Sequence, residues 1–523
     1  MSVITDASVE SEAPVNPYSL LDAVNRSSGS VNVAWLIFLG LMAYVLITVA
    51  CISHKDLLLN NDIVLPILQV RIGLTRFFLF APIVLVLLHM GVIGQLVVLA
   101  RKALEFASAI RMLETTEQRS HPLRLELDNF FFVQAIAGPE RSRIMSCFLY
   151  GVSWLTLVVL PVALLLLIQL MFVPFHDVTI TTAHQLAVIA DIALLMLIGV
   201  FLMRSDTSFF RAFWRTGLHN PGSLFFAAVV LAAAAFFSLA VATVPDDASG
   251  KGRMSFLGSG DGALLGLFNR NLNVADIDLV VDKDVSPQEP SISLRGRDLR
   301  FAKLDRADLH QADMTGANLD GASLVGADLR NIWLQCADVG VAILSQDRKL
   351  AKCASARGAD FSKARLTGAR MSGVDLTEAR FEGAHMEAAS LAHSTLAGAM
   401  FVNAHLERAD VSGGVALQGT NFLLASLAGA DLSGAELQLA DFSSAGLQGA
   451  NLSLAGLEGA VLRNADLDGA NLQMARLYGA DLTGARLVGA DLTQARVWQT
   501  QPPSSEAMTL ADASQIVLAP PGE

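Results

Sequence analysis

Charged side chains are scarce in this sequence. Only 16% of its 523 residues are Asp, Glu, Lys or Arg, whereas soluble domains carry about 25%. The formal net charge is −12, so the chain lacks the basic surface of a generic nucleic-acid-binding protein. We therefore expect no nucleic-acid partner, and we expect the 53% of hydrophobic residues to be concentrated in particular segments.

Motifs of catalysis and cofactor binding are also missing. No glycine-rich phosphate loop follows a strand, and no GxSxG nucleophile elbow occurs. The aspartates of the C-terminal half precede large apolar residues, which indicates a solvated face and not paired acid–base groups. We expect no enzyme, no cofactor and no metal, because the C-terminal histidines lack metal-ligand spacing along the chain. These histidines are His310, His385, His393 and His405. We interpret them as solvated surface residues; the alternative is that the last three line up on adjacent corners.

A cleavable signal peptide is not expected, because the start lacks a basic segment followed directly by a short apolar core. We interpret residues 1–30 as a polar, flexible tail. Five apolar runs follow, each about 20 residues or longer, the length that crosses a bilayer as a helix. They predict a multi-pass helical membrane domain over residues 31–244, with the lipid bilayer as its partner. The runs are Val31–Ile52, Phe77–Leu99, Cys147–Val173, Ala183–Met203 and Ser223–Val244.

The distribution of Lys and Arg predicts the topology, because positive loops stay in the cytoplasm. The loops after the second and fourth runs are basic, and the loop after the third, "PFHDVTITTAH", has no Lys or Arg. This places the N-terminus on the cytoplasmic side of a bacterial inner membrane. After five crossings, the C-terminal half lies on the opposite side, outside the cytoplasm. Lys55, Arg71 and Arg76 in the first loop run against this assignment.

Two ionisable residues lie in the middle of apolar runs, His89 in "VLVLLHMGVIG" and Asp191 in "AVIADIALLMLIGV". Such residues are costly inside a membrane and are functional candidates by default. One interpretation is a proton relay or ligand site. The other is one hydrogen-bonded pair, or separate snorkelling contacts, that fix helix packing.

After a turn-rich linker, residues 245–290, a large apolar residue recurs every five positions from Leu299 to Val497, in about 37 copies. Neither 3.6 nor 2 divides five, which excludes a long amphipathic helix and an ordinary strand. The letters A-D-L fit a strand triplet with its ends facing inward, and the next two letters, often T-G, favour a turn. The period therefore predicts short strands and corners that wind into stacked coils.

Two stretches, "RADLHQADMTGANLDGASLVGADL" (Arg306–Leu329) and "GADLTGARLVGADL" (Gly479–Leu492), resemble the pentapeptide-repeat proteins with their motif A-(D/N)-L-x-x. The resemblance implies an all-β, right-handed quadrilateral β-solenoid over residues 291–499, with four repeats per coil, followed by a tail over 500–523. Membrane helices before "SLRGRDLRFAKL" (Ser293–Leu304) are also similar to the arrangement in a group of bacterial membrane proteins, a likeness that implies no activity.

The repeat departs from its period in two places. The apolar marker is lost between Val339 and Phe361, where Cys336 and Cys353 flank a basic segment. Outside the cytoplasm these cysteines could form a disulfide that pins the loop, but coil stacking alone would not bring them face to face, so two free thiols are favoured. The second departure is one residue inserted near Gly413 and Gly414, which predicts a small bulge. The other two cysteines, Cys51 and Cys147, are interpreted as packing residues of the membrane half.

Three functions follow from these features. The first is a membrane-anchored scaffold whose solenoid face binds a protein partner, with a homo-oligomer also open. The second is a transporter, channel or sensor that acts through His89 and Asp191. The third comes from the family resemblance, because some soluble members mimic DNA and protect gyrase. A mildly acidic, tethered solenoid argues against that third role.

Overall fold

A computed structural model of the protein describes residues 16–65, 69–114, 121–139, 142–202, 221–243, 263–264, 268–269, 271–280, 286, 289–338, 352–502 and 516–518. The chain forms two compact units. The first is helical. The second contains the repeats together with two short segments from the N-terminal half, Ser53–Asn61 and Pro174–His176.

The first helix starts inside the segment that we interpreted as a tail. Asn16 accepts a hydrogen bond from the Tyr18 backbone N–H, and Pro17 occupies the first turn. Both residues are favourable at a helix start. The Asn16 side chain accepts a bond from an otherwise unpaired N–H, and Pro17 has no N–H that would be left unpaired. The apolar run from Val31 is therefore the continuation of a longer helix.

The helical unit is built around α3, which packs against α1, α4, α6 and α7. A π-helical turn, Leu155–Val159, joins α5 to α6, and 3₁₀ turns span Pro122–Glu126 and Val173–Phe175. The helices are α1 (Pro17–Ala50), α2 (His54–Leu59), α3 (Leu74–Leu113), α4 (Phe131–Ala137), α5 (Arg143–Trp154), α6 (Leu160–Phe172), α7 (Val178–Leu202) and α8 (Pro221–Thr243).

Four segments of the described chain are long and apolar enough to cross a membrane: Pro17–Ala50, Leu74–Leu113, Arg143–Phe175 and Val178–Leu197. The N-terminal region is thus helical with four candidate spans. The fifth apolar run falls on α8, in which the described apolar part, Ala228–Val241, is shorter. Five crossings therefore stay a prediction.

Parallel backbone pairing builds the second unit, and most repeats are joined to the repeat twenty residues later. Asp298 pairs with Asn318, for example, and Asp466 with Arg486. A coil of twenty residues contains four repeats, as the resemblance implied. The pairing begins at Asn273, inside the predicted linker, because Leu272, Val274 and Leu279 are already buried at the core positions of this motif.

Each corner is a β-turn that closes on a residue with positive φ. In the repeat at Leu319 the N–H of Ala322 bonds to the Leu319 carbonyl, and Gly321 between them has φ +66°. A type II turn requires this conformation at its third residue, which is why glycine is frequent there. The large apolar residue and the alanine two positions before it both face inward and are buried along the described repeats.

Five phenylalanines form a continuous stack in the core. Their ring centroids are 4.7–5.0 Å apart and the rings are within 7° of parallel. The order is Phe361, Phe381, Phe401, Phe422 and Phe442. The step from Phe401 to Phe422 is one residue longer than the others, and the pairing of Thr395 with Ala416 shows the same extra residue. Gly413 and Gly414, both with positive φ, accommodate it as the predicted bulge.

The longer interruption does not add a coil. Asn318 pairs with Ser355 and Trp333 with Arg370, a separation of 37 in place of 20. The coil that ends near Cys336 is therefore followed directly by the coil that begins near Cys353. The intervening loop is an insertion, and its residues 339–351 lie outside the described ranges.

The described part of the chain also contains six short strands. They form three pairs: Asp62–Val64 with Arg71–Gly73, Ala263–Leu264 with Phe268–Asn269, and Arg496–Val497 with Val517–Leu518. The first two pairs are antiparallel, and the last is parallel. The last pair brings part of the predicted C-terminal tail onto the final described repeat.

The two short segments that join the second unit bond to its first coils. Lys55 donates its Nζ to the Asp278 carbonyl at 2.8 Å, and Arg297 donates to the Leu57 carbonyl at 2.9 Å while its guanidinium lies 3.9 Å from the centre of the Phe175 ring. Burial alone would raise the pKa of the Asp298 carboxyl, but the His176 imidazole, 3.7 Å away, and the hydrogen bonds from Arg300 hold that pKa well below its ordinary value. These contacts attach residues following the first and third candidate spans to the start of the solenoid.

Candidate functional site

The two intramembrane candidates meet in the core of the helical unit. His89 on α3 and Asp191 on α7 are 0% and 1% exposed, and His89 Nδ1 lies 2.6 Å from Asp191 Oδ1. The other ring nitrogen, Nε2, lies 3.0 Å from the Leu157 carbonyl oxygen. Phe38 on α1 stacks on the imidazole at 5.2 Å and 7°. Three helices and the π-helical turn thus converge on one side chain.

The carbonyl that receives His89 is available because of a proline. In a helix the Leu157 carbonyl would accept from the N–H of residue 161, but Pro161 has none. The same arrangement occurs a second time. Pro82 leaves the Phe78 carbonyl without its helical donor, and His184 Nε2 lies 2.7 Å from that oxygen. In both places the carbonyl is bonded by a histidine from another helix, which takes the place of the missing helical donor.

These contacts fix the number of protons that the His89–Asp191 pair holds. A carbonyl can only accept, so His89 Nε2 carries a proton and donates it to Leu157. The short contact between Nδ1 and Oδ1 then needs one further proton, which is held either by an imidazolium or by a carboxylic acid. In both cases the pair is electrically neutral overall and contains one transferable proton. The second carboxylate oxygen, Asp191 Oδ2, is buried without a hydrogen-bond partner.

Substitutions at Asp191 separate packing from proton exchange. We expect Asp191→Ala to destabilise the helical unit by about 2 kcal/mol, because His89 loses a buried partner. Asp191→Asn should cost about 0.5 kcal/mol or less, because its amide can donate to Nδ1 while Nε2 still donates to Leu157. The measurement is thermal unfolding of the full chain in detergent micelles. Equal losses for both variants would show that the hydrogen bond does not fix the helices.

Sequence reasoning missed His184 and a second buried polar pair. Gln169 Nε2 donates to the Ser238 carbonyl at 2.9 Å, and Ser238 Oγ donates to Gln169 Oε1 at 2.6 Å, which joins α6 to α8. The signal for Gln169 was a polar side chain in an otherwise apolar run. The signal for His184 was the proline four residues after Phe78, whose carbonyl needs a partner.

In the second unit, Cys336 and Cys353 are joined by a disulfide. Their separation in sequence is 17 residues, and the pairing of the flanking coils is 17 residues longer than the regular step. When the 17 inserted residues are left out of the count, both cysteines fall at the same point of the coil, and their Cα atoms are 3.6 Å apart. Regular stacking would not pair them, but an insertion that leaves and re-enters the coil at one point does.

The outward aspartates and asparagines serve the turns as well as facing solvent. Asp481 and Asp491 accept backbone N–H groups from Thr483 and Thr493, two residues on, at 3.0 and 2.9 Å. Because the bonds from Thr483 stabilise the carboxylate, the pKa of Asp481 lies below its ordinary value. The letter D in A-D-L-T-G thus caps the corner that follows it.

Acidic residues also pair with arginines one coil on, at a spacing of 18 residues. Glu458 pairs with Arg476, and Asp468 pairs with Arg486. The pairs are exposed, so each adds little stability. They show a rule of the register: any residue 18 positions after a corner acid lies beside that acid on the next regular coil.

One cluster of histidines and glutamates follows the same rule. The rings of His385 and His405 stack at 4.8 Å and 3°, and the nearest carboxylates are Glu387 and Glu407, at 3.1 and 3.5 Å from the respective Nδ1 atoms. Burial by itself raises the pKa of Glu387, but hydrogen bonds from Thr367 and His385 hold it below its ordinary value. Spacing along the chain did not reveal this cluster, because its members come from successive coils.

Four large apolar corner residues of the described repeats are exposed. They have positive φ and 50–71% of their surface in solvent, and they are Leu424, Leu439, Leu454 and Met474. Leucine in the left-handed region carries strain that glycine avoids. Apolar exposure at such positions is a further cost, so packing and turn chemistry do not explain these side chains.

The twenty-residue register and the buried five-residue core define a stacked-repeat β-solenoid protein with an apolar helical N-terminal region. The repeats match the family described as "Pentapeptide repeats" in eight copies, over residues 293–331, 353–383, 375–413, 420–459 and 460–499. The C-terminal region of this chain belongs to the pentapeptide-repeat family. No curated protein sequence gives a significant match to the chain.

Several solved structures are similar to the repeat region. HetL, a pentapeptide repeat protein involved in heterocyst differentiation regulation from the cyanobacterium Nostoc sp. strain PCC 7120, is 32% identical over 39% of this chain and 88% of its own, with a TM-score of 0.22. The pentapeptide repeat protein alr5209 from Nostoc PCC 7120 is 34% identical over 21% of this chain and 86% of its own, with a TM-score of 0.18. Trypsin-treated QnrB1, a plasmid-mediated fluoroquinolone resistance protein, is 17% identical over 37% and 85%, with a TM-score of 0.19. With TM-scores this low, the family assignment rests on the repeats themselves.

Proposed function

We propose that this protein is a non-catalytic, membrane-anchored scaffold in which the apolar helices hold a right-handed, square pentapeptide-repeat solenoid whose outer surface binds a protein partner. The observation that carries the proposal is the set of exposed apolar corners. Inward positions are occupied by packing, so specificity must lie in the outward residues. Exposed apolar side chains at strained turns are costly to the free protein and are accounted for by a surface that becomes buried on binding.

The register places three of the four apolar corners along one edge, whereas Leu424, thirty residues before Leu454, lies at the opposite corner. Leu454 and Met474 are twenty residues apart and occupy the same corner of successive coils. Leu439 lies at the adjoining corner, because it is fifteen residues, or three corners, before Leu454. The three side chains therefore flank one side of the solenoid. A protein partner fits this surface, because its apolar side chains alternate with the paired acidic and basic residues of the same coils.

Photo-crosslinking from a corner tests the proposal. We expect a benzophenone amino acid at position 454 to give one discrete crosslinked protein in intact membranes. Leu454→Gly with Met474→Gly should abolish the partner's recovery while changing the solenoid's stability by no more than about 0.5 kcal/mol, because glycine suits positive φ. The matched control is Asn464, a polar corner with positive φ. Identical crosslinks from positions 454 and 464 would contradict a specific edge.

The proposal places the solenoid outside the cytoplasm of a bacterial inner membrane. Residues 53–61 follow the first span and residues 174–176 lie at the end of the third, and both belong to the solenoid's unit. Loops after odd-numbered spans share one side of the membrane, so a solenoid on that side favours α8 as a fifth crossing. The Cys336–Cys353 disulfide also suits an oxidising compartment. A C-terminal alkaline phosphatase fusion should be active and a green fluorescent protein fusion dark, with the reverse pattern opposing this topology.

A second candidate function, transport or sensing through the helical unit, is favoured by the unpartnered Asp191 Oδ2. It requires the transferable proton, which Asp191→Asn removes while keeping the hydrogen bond to His89. Full rescue of a gene-deletion phenotype by Asp191→Asn would exclude this candidate and leave the scaffold. The DNA-mimic role is not supported by a solenoid in which outward acids such as Asp481, Glu458 and Asp468 are paired with arginines.

A further inference from the structure

We propose that Glu387, His405 and Glu407 form a binding site for a divalent transition-metal ion of the Zn²⁺ type on the outer surface of the solenoid. One potential ligand atom from each residue lies within 4.8 Å of the other two. Ligands about 2.1 Å from a common ion are about 3.0 to 4.2 Å apart. Small side-chain rotations therefore suffice to close the site, and the backbone need not move.

The register explains why these residues meet. Glu387 and His405 are separated by 18 residues, the spacing at which Glu458 meets Arg476 and Asp468 meets Arg486. At this point of the solenoid a histidine replaces the arginine. A guanidinium ends in donors only, whereas a neutral imidazole offers a lone pair to a metal. The substitution therefore converts an ion-pair position into a ligand position.

Glu407 lacks the cation that other corner acids receive. The extra residue in the next coil makes Ser426 the residue beside it, since His405 pairs with Ser426. Among the described residues, the salt-bridge partners of both glutamates are histidines, and Glu407 Oε2 is enclosed without any hydrogen-bond partner. Two carboxylates on successive coils repel each other, and a bound cation would neutralise that repulsion.

The donor set selects the class of ion. One imidazole nitrogen and two carboxylate oxygens suit Zn²⁺, and a fourth position stays open for water. Mg²⁺ prefers an octahedral shell of oxygen atoms and is not expected to compete. His385 acts as a positioning residue, because its Nδ1 lies 3.1 Å from Glu387 Oε1 and its ring stacks on His405.

The test uses the full chain, purified in detergent micelles and stripped with a chelator. Zn²⁺ is titrated by calorimetry, and Co²⁺ is titrated by its visible absorption, which reports tetrahedral coordination. We expect one saturable site per chain for both ions and none for Mg²⁺ under the same conditions. His405→Gln and Glu407→Gln should each weaken Zn²⁺ binding roughly 100-fold or more, because each removes a direct ligand.

The matched control is His393→Gln, since His393 lies on the same part of the solenoid but bonds to the Gly413 carbonyl. Its Zn²⁺ affinity should equal that of the unchanged protein. Saturating Zn²⁺ should also raise the unfolding temperature of the unchanged protein and of His393→Gln, but not that of Glu407→Gln. The proposal fails if no saturable Zn²⁺ binding occurs, or if Glu407→Gln and His405→Gln bind as tightly as His393→Gln. If one variant does not fold, the other decides by the same comparison.

Discussion

Replacing Phe401 by alanine is expected to destabilise the surrounding coils by about 4 kcal/mol. Phe401 is fully buried, and its ring stacks on Phe381 at 4.9 Å and on Phe422 at 4.8 Å. A buried Phe→Ala change typically costs about 3–5 kcal/mol, because transfer energy is lost and a cavity remains. The cavity cannot collapse easily here, since the hydrogen bonds of adjacent coils fix the spacing of the walls.

Amide hydrogen exchange measures this effect where it occurs. In the full chain, peptides covering residues 395–430 should exchange about a thousandfold faster in Phe401→Ala, the equivalent of about 4 kcal/mol. Phe401→Leu is the matched control and should cost no more than about 1.5 kcal/mol, because leucine fills most other core positions. Peptides of α3 should be unchanged. An effect in Phe401→Leu as large as in Phe401→Ala would mean that ring stacking, and not cavity volume, dominates the core.

Loss of the Cys336–Cys353 disulfide is expected to destabilise the coils that it joins by about 3 kcal/mol. The bond spans 17 residues, and closing a loop of this length restricts the unfolded chain by about that amount. Without the bond, bringing the two ends of the loop together on the coil costs the full entropy of loop closure. Cys336→Ala, Cys353→Ala and the double variant should give the same loss, because all three remove one bond.

Thiol titration identifies the bond independently of its energy. Denatured protein without reductant should show two reactive thiols, those of Cys51 and Cys147, and reduced protein should show four. Hydrogen exchange near Trp333 and Arg370 should accelerate on reduction, whereas Cys51→Ala should leave it unchanged. Four reactive thiols before reduction would contradict the disulfide and remove one argument for an extracytoplasmic solenoid.

Much of the fold follows from the sequence, because one physical requirement recurs along each half of the chain. In the N-terminal half, an apolar run of sufficient length must be helical, so the positions of Phe77–Leu99 and Cys147–Val173 were predictable. The start of α1 was not, because Asn16 and Pro17 extend the helix beyond the apolar run. In the repeat half, the period of five assigned Leu482 and Ala480 to the interior and Asp481 to the exterior. Asp481 keeps only a small exposed fraction, since Arg463 of the previous coil covers it.

The candidate site was predictable only as single residues. His89 and Asp191 stood out because each is ionisable within an apolar run, but no pattern along the chain states that they touch. Their contact depends on the packing of α3 against α7, and the Leu157 carbonyl depends on Pro161 in a third segment. The glutamates beside His385 and His405 gave no signal, because acids are common at outward positions of every repeat.

The sequence by itself determined which side chains face the core, since a period of five with alternation inside each triplet leaves one arrangement that buries Leu and Ala. Only the tertiary structure decided how far apart in sequence the paired coils are: 30 residues from Asn273 to its partner, 20 in most places, 21 across Gly413 and Gly414, and 37 across the disulfide-bonded insertion. The physical reason is that coils pair through backbone groups, which are the same in every repeat. The chain can pair at any multiple of five until closure at the corners selects one, and that choice brings Glu387 to His405 and Cys336 to Cys353.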